Sequence, residues 1–187
     1  PKLRQISRKH WLKLACVGLV GSFIPAFMFA IAQTQLQSGV TGVLNALTPI
    51  STLVIGVLLF SQSARWAQWV GIVIGLVGTV LLITATANGS FTFNSYALLV
   101  MLATVCYGIN LNLIKHKIAD LKPLTITGVS LLMASIPAAI FLFLGTDFLA
   151  HTQRSDAPLS LTAVLVLGIV GTAGALIIFN YVVQLTN

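Results

Sequence analysis

Long uncharged stretches alternate along this chain with short polar ones. From Gly39 to Phe60 the run GVTGVLNALTPISTLVIGVLLF carries no charge. At about 1.5 Å rise per residue it covers roughly 30 Å, the hydrocarbon thickness of a bilayer. A second such run extends from Trp66 to Ala87, and only SQSAR separates the two. So short a connection makes them antiparallel neighbours, a transmembrane hairpin. The pattern repeats around this hairpin. It predicts a helix from Trp11 to Ala32 before it, and helices over Tyr96 to Ile114, 124 to 145 and Leu161 to Leu185 after it, six spans in all. Trp11, Trp66 and Trp69 fall at the predicted interfaces, where amphipathic rings are favoured. Pro25 lies near the middle of the first span and should kink or open it.

Composition agrees with this reading. The chain is 57% hydrophobic and 7% charged, against about 45–50% and 25% in soluble domains, so a soluble fold would lack polar surface to cover itself. The net charge of +7 points to nucleic acid only if the cations gather on one water-exposed face. Here they sit in loops between apolar runs, and nucleic-acid binding is not expected. Cys16 and Cys106 lie inside apolar runs without CxxC spacing, so neither a disulfide framework nor a zinc site is expected. The chain starts at Pro1 without Met, shows no signal peptide, and stops at Asn187 directly after an apolar run. It is expected to be a piece of a longer protein.

The loops give the orientation. Lys2, Arg4, Arg8, Lys9, Lys13, Arg65, Lys115, Lys117 and Lys122 lie on the starting side, and only Arg154 lies on the other. Under the positive-inside rule the N-terminal segment is cytoplasmic. An internal repeat adds an architecture. At a constant offset of 150, Gly18, Val20, Gly21 and Phe29 in the first helix match Gly168, Val170, Gly171 and Phe179 in the sixth. The first helix leaves the cytoplasm and the sixth returns to it. Equivalent helices of opposite direction form an inverted repeat, in which secondary transporters hold substrate near the midplane. A five-helix period implies ten helices in the whole protein.

SGVTGVLNALTPISTLVIGVLLF followed by SARWAQWVGIVIGLVGTVLLI resembles the first repeat of EamA-type members of the drug/metabolite transporter superfamily, with Pro49, Gln68, Gly71, Gly75 and Gly78 at its characteristic positions. VLVLGIVGTAGALIIFNYVVQL is similar to the third helix of the second repeat. The resemblance covers essentially the whole chain, as helices three to eight of ten. It implies an all-α integral membrane fold, with residues 1–87 the C-terminal part of one repeat and 88–187 the N-terminal part of the other. Where family members commonly carry Glu in the turn after the proline helix, this chain has Gln62 and no Glu anywhere. Gln62 keeps a hydrogen bond if that Glu caps or braces the loop; if it serves gating, the charge is missing here.

Polar side chains within the spans must find a partner, either another helix or a solute. Asn45 and Thr48 lie four and one residues before Pro49, which frees a carbonyl and opens the helix. Tyr107 and Asn110 are three apart and share a face, an aromatic wall beside an amide. Asn180 and Tyr181 lie past the middle of the sixth helix. These seven residues, Pro49 included, are the expected substrate-binding set, with helix packing the open alternative for each. For Asn112, on another face, packing is the plainer reading. Gly71, Gly75 and Gly78 read as sites of close helix approach. His10, His116 and His151 lie in or beside loops without metal-ligand spacing.

Asp120, Asp147 and Asp156, the three acids, are all in loops, so no span carries the carboxylate that proton-driven carriers commonly use. There is no acid pair, GxSxG, HExxH or phosphate-cradling loop. No catalytic residue, metal ligand set or cofactor is expected. The expected function is a secondary transporter of the inner membrane, by resemblance an exporter of an amino acid or similar small metabolite. Its partners would be that solute, the lipid bilayer and, as an open option, a second copy of the chain. A membrane-embedded enzyme acting on lipid-linked substrate and a non-transporting assembly subunit remain as alternatives.

Overall fold

The structure is a computed structural model and describes residues 8–86, 95–154 and 157–185. Among these residues every regular element is helical. Five helical runs are long and apolar enough to cross a membrane: Arg8–Gln33, Ser38–Phe60, Tyr96–Lys117, Pro123–Gly145 and Ala157–Val183. The remaining expected span is a helix of 21 residues, Trp66–Thr86. The chain is therefore an all-α, multi-pass membrane protein. Helices satisfy their own backbone groups, the condition for crossing hydrocarbon.

Three of the spans depart from simple helices. The first comprises α1 (Arg8–Gly18) and α2 (Ile24–Gln33), joined by a π-helical turn, Leu19–Phe23. Pro25 has no N–H and its ring crowds the carbonyl four residues back, Gly21; the wider turn relieves both. The second span, expected as one run from 39 to 60, is broken. α3 (Ser38–Asn45) ends before Ala46, and α4 (Thr48–Phe60) restarts with Pro49 in its first turn, where a missing N–H costs nothing. After α5 (Trp66–Thr86) and α6 (Tyr96–Lys117), the next span is α7 (Pro123–Gly145). The last consists of α9 (Ala157–Val166), a π-helical segment Leu167–Gly174, and α10 (Ala175–Leu185), with a single turn, α8 (Phe148–His151), ahead of it.

The polar ends differ in detail from expectation. Lys115, His116 and Lys117 belong to the last turn of α6, and His10 lies within α1, because long basic side chains let a helix continue into the interface while their charges reach water. The loop expected at ANGSFTFNS lies outside the described residues except Ser95, as do Lys2, Arg4 and Asp156.

Packing divides the chain into two compact units, one of residues up to Leu19 together with those from Lys117 onward, the other Val20–His116. In the first, α7 packs against both α1 and α10. A Cβ on Gly18 would overlap the Ser130 carbonyl of α7 and lie 3.0 Å from its carbon, so only glycine allows this approach. His10 Nε2 meets Asp120 Oδ2 at 3.2 Å, and Lys13 Nζ donates to the Lys117 carbonyl at 2.9 Å. In the second unit Ala32, Leu44, Ala97 and Val100 form a buried cluster, with Phe29, Leu36, Val40, Leu47 and Leu99 against it.

Candidate functional site

In the Val20–His116 unit the chemistry begins at Pro49. Its missing N–H leaves the carbonyl of Asn45, four residues back, without the usual helical donor. The Thr48 hydroxyl supplies one, donating to Asn45 O at 2.7 Å and lying 3.2 Å from Asn45 Oδ1. Asn45, Thr48 and Pro49 thus form one local device, a helix break stabilised by its own side chain. Asn45 and Pro49 are exposed. The Thr48 proton is spent on the backbone, but its oxygen and the Asn45 amide remain open to a solute.

The two asparagines of α6 have different surroundings. Asn112 is 2% exposed, and its Nδ2 donates to Gly108 O and Thr52 O, both at 2.9 Å. It ties α6 to α4. Asn110 is also buried, but its Oδ1 has no hydrogen-bond partner among the described residues. It lies against Gly21 in the π turn: a Cβ there would come 2.6 Å from Asn110 Oδ1 and still closer to the rest of its amide. Gly21 therefore makes the space that Asn110 occupies. One turn back, the Tyr107 ring stacks on Phe29 with centroids 6.0 Å apart. An amide left unpaired in a buried position costs about 1–3 kcal/mol.

Two features here escaped sequence reading. Gly108 is a close-approach glycine, since a Cβ on it would lie 2.8 Å from Ser51 C and 2.9 Å from Thr52 N. Beside it, Ser51 Oγ is 3.0 Å from Thr104 Oγ1. The Thr104 proton already goes to Met101 O at 2.7 Å, so Ser51 is the donor. By contrast, a Cβ on Gly71, Gly75 or Gly78 meets nothing within 4 Å among the described residues; the close approach expected of them is made instead by Gly18, Gly21, Gly56 and Gly108. Glycine spacing alone could not tell these groups apart, because the deciding neighbour lies on another helix.

The turn residues acquire specific roles. Ser61 takes the left-handed conformation, with φ of 51°, and the Gln62 N–H then donates back to Gly56 O at 3.0 Å. This is a helix C-terminus closed on itself. The Gln62 side chain folds over Gly56, whose added Cβ would sit 2.8 Å from Gln62 Oε1. Gln68 Oε1 accepts from the Arg65 N–H at 2.8 Å, the reach-back half of a capping box for α5.

In the other unit, Asn180 of α10 is 3% exposed, and its Nδ2 donates to Thr127 Oγ1 of α7 at 2.7 Å. Its Oδ1 is buried and unpartnered among the described residues. Tyr181 is exposed. The expected residues therefore fall into two groups, Asn45, Thr48, Pro49, Tyr107 and Asn110 in one unit and Asn180 and Tyr181 in the other. No group of three or more His, Cys, Asp or Glu suited to a metal occurs among the described residues.

Comparison with known proteins identifies the family. The sequence profile of the EamA-like transporter family matches residues 1–84 and 94–187. An uncharacterized transporter of Archaeoglobus fulgidus is 26% identical over 140 residues, 74% of this chain and 49% of that protein. The uncharacterized inner membrane transporter YedA of Escherichia coli K12 is 27% identical over 177 residues, 90% of this chain and 52% of that protein. The chain spans about half the length of these curated relatives. No solved structure matches it.

Proposed function

Since the chain belongs to the EamA-like transporter family, we propose that it forms the central part of a secondary transporter in the inner membrane. Residues 1–87 and 88–187 are read as portions of two inverted repeats. The offset of 150 that aligns Gly21 with Gly171 also aligns the π turn Leu19–Phe23 with residues inside the π segment Leu167–Gly174, a shared irregularity that supports the pairing. The N-terminal segment faces the cytoplasm, and the halves alternate access to a solute near the midplane. The solute is a small polar or amphipathic metabolite, an amino acid or relative, moved outward.

The observation that carries this reading is the contrast within α6. Asn112 spends its amide protons on backbone carbonyls, whereas Asn110, also buried, has an oxygen with no partner among the described residues. A buried amide in that state suits solute recognition. Asn45, Thr48 and Pro49 contribute the helix break and Tyr107 a stacking face beside Asn110, while Asn180 and Tyr181 of the other unit stay in the proposed set. Lining groups without fixed charge suit a neutral or zwitterionic solute. Asn110→Ala in the full-length protein tests the reading: transport falls at least about tenfold, as for loss of one charge-assisted contact, while membrane level and melting temperature hold. Unchanged transport at normal protein level would remove Asn110 from the site.

A further inference from the structure

In the unit built on α1, α7 and α10, the buried hydroxyls of Thr127 and Ser130 commit their protons to backbone carbonyls. Ser130 Oγ donates to Thr127 O at 3.2 Å, and Thr127 Oγ1 donates to Leu176 O at 3.4 Å. With its one proton committed, Thr127 must accept from Asn180 Nδ2, which fixes the orientation of the Asn180 amide. Asn180 Oδ1 is then left unpaired at 3% residue exposure. Thr127 and Ser130, themselves 2% and 6% exposed, share a face of α7 at i, i+3. The cluster carries the neutral oxygens of one carboxamide and two hydroxyls, with Thr127 Oγ1 already accepting from Asn180 Nδ2. None of its members carries a charge.

The Asn180 oxygen, buried and without a donor among the described residues, suits a cation. A divalent ion needs carboxylates to offset its dehydration, and this cluster has none. Neutral side-chain and backbone oxygens beside irregular helix are instead the surroundings in which transporters hold Na⁺. The π segment Leu167–Gly174 ends immediately before α10. We propose that Asn180, Thr127 and Ser130 form a binding site for a monovalent cation, either Na⁺ or a compact ammonium group. Such a site gives a chain without intramembrane carboxylates a means of coupling to an ion. The inference goes beyond the transporter reading and does not depend on it, because binding is read on protein that is not transporting.

The test is thermal unfolding of the full-length protein in nanodiscs, titrated with NaCl, methylammonium chloride or choline chloride at matched ionic strength. A saturable rise in melting temperature with Na⁺, beyond that with choline, identifies Na⁺ as the occupant. The same rise with methylammonium alone identifies an ammonium group. In either case Asn180→Ala raises the half-saturating concentration about tenfold or more, whereas the isosteric Asn180→Asp, which keeps an oxygen and adds charge, lowers it. Thr127→Ser retains the response. Equal responses to all three salts, or a cation-specific response that persists in Asn180→Ala, overturn the proposal. Solute exchange that ignores Na⁺ leaves the transporter reading untouched.

Discussion

Replacing Gly108 with alanine probes the α4–α6 crossing with a change of predictable sign. In an open helix the substitution stabilises by about 0.8–1 kcal/mol, because alanine loses less backbone entropy. At Gly108 the new methyl would lie 2.8 Å from the Ser51 carbonyl carbon, 2.9 Å from its oxygen and 2.9 Å from Thr52 N. All three are backbone atoms, so no rotamer change relieves the overlap and the helices must part. Overpacking of this kind costs about 1–3 kcal/mol. Parting also stretches the Ser51–Thr104 and Asn112–Thr52 hydrogen bonds, each worth about 1 kcal/mol. After the propensity gain, a net loss of about 2 kcal/mol is expected. Thermal unfolding of the full-length variant in micelles, followed by tryptophan fluorescence, measures it. A melting temperature at or above wild type would refute the crossing.

Other substitutions separate support of the fold from recognition. Thr48→Val leaves the Asn45 carbonyl without its hydroxyl donor and lowers stability by about 1 kcal/mol, whereas Thr48→Ser holds it; a thermal melt distinguishes the two. Pro49→Ala restores an N–H where Asn45 lacks one, so α3 and α4 rejoin, and solute exchange falls without loss of melting temperature. Asn112→Ala strips the donor from Thr52 O and Gly108 O and costs about 1–3 kcal/mol, a loss visible in unfolding. For orientation, a cysteine at Ser61 reacts with a membrane-impermeant maleimide only from the cytoplasmic side and one at Thr152 only from outside; the reverse order would invert the topology.

The long apolar runs, their lengths and the asymmetry of Lys and Arg made the membrane class legible in the sequence, since hydrocarbon thickness fixes span length. Pro25 and Pro49 marked both irregular places in the first two spans. Their outcomes differ because Pro25 follows a π turn inside a continuing helix, whereas Pro49 has Thr48 to satisfy the freed carbonyl and lets the helix stop and restart. The second π segment, Leu167–Gly174, carries no proline and was not anticipated; only its match to the first span signals it. Asn110 and Asn112 were placed on different faces by helical spacing alone, but the space made by Gly21 was not visible without the neighbouring helix. Thr127 and Ser130 were missed for the same reason. A hydroxyl on an apolar helix bonds to its own backbone in most settings, and only the opposing Asn180 distinguishes these two.

Counterflow in proteoliposomes containing the full-length protein is the most direct measurement of the central claim. Vesicles are loaded in turn with pooled unlabelled amino acids or pooled other metabolites, and labelled solute is supplied outside. The account predicts saturable, transient accumulation of label against one pool, abolished by Asn110→Ala in protein that unfolds at the wild-type temperature. Folded protein that exchanges label with neither pool, or exchange that is the same with and without the Asn110 amide, would contradict it.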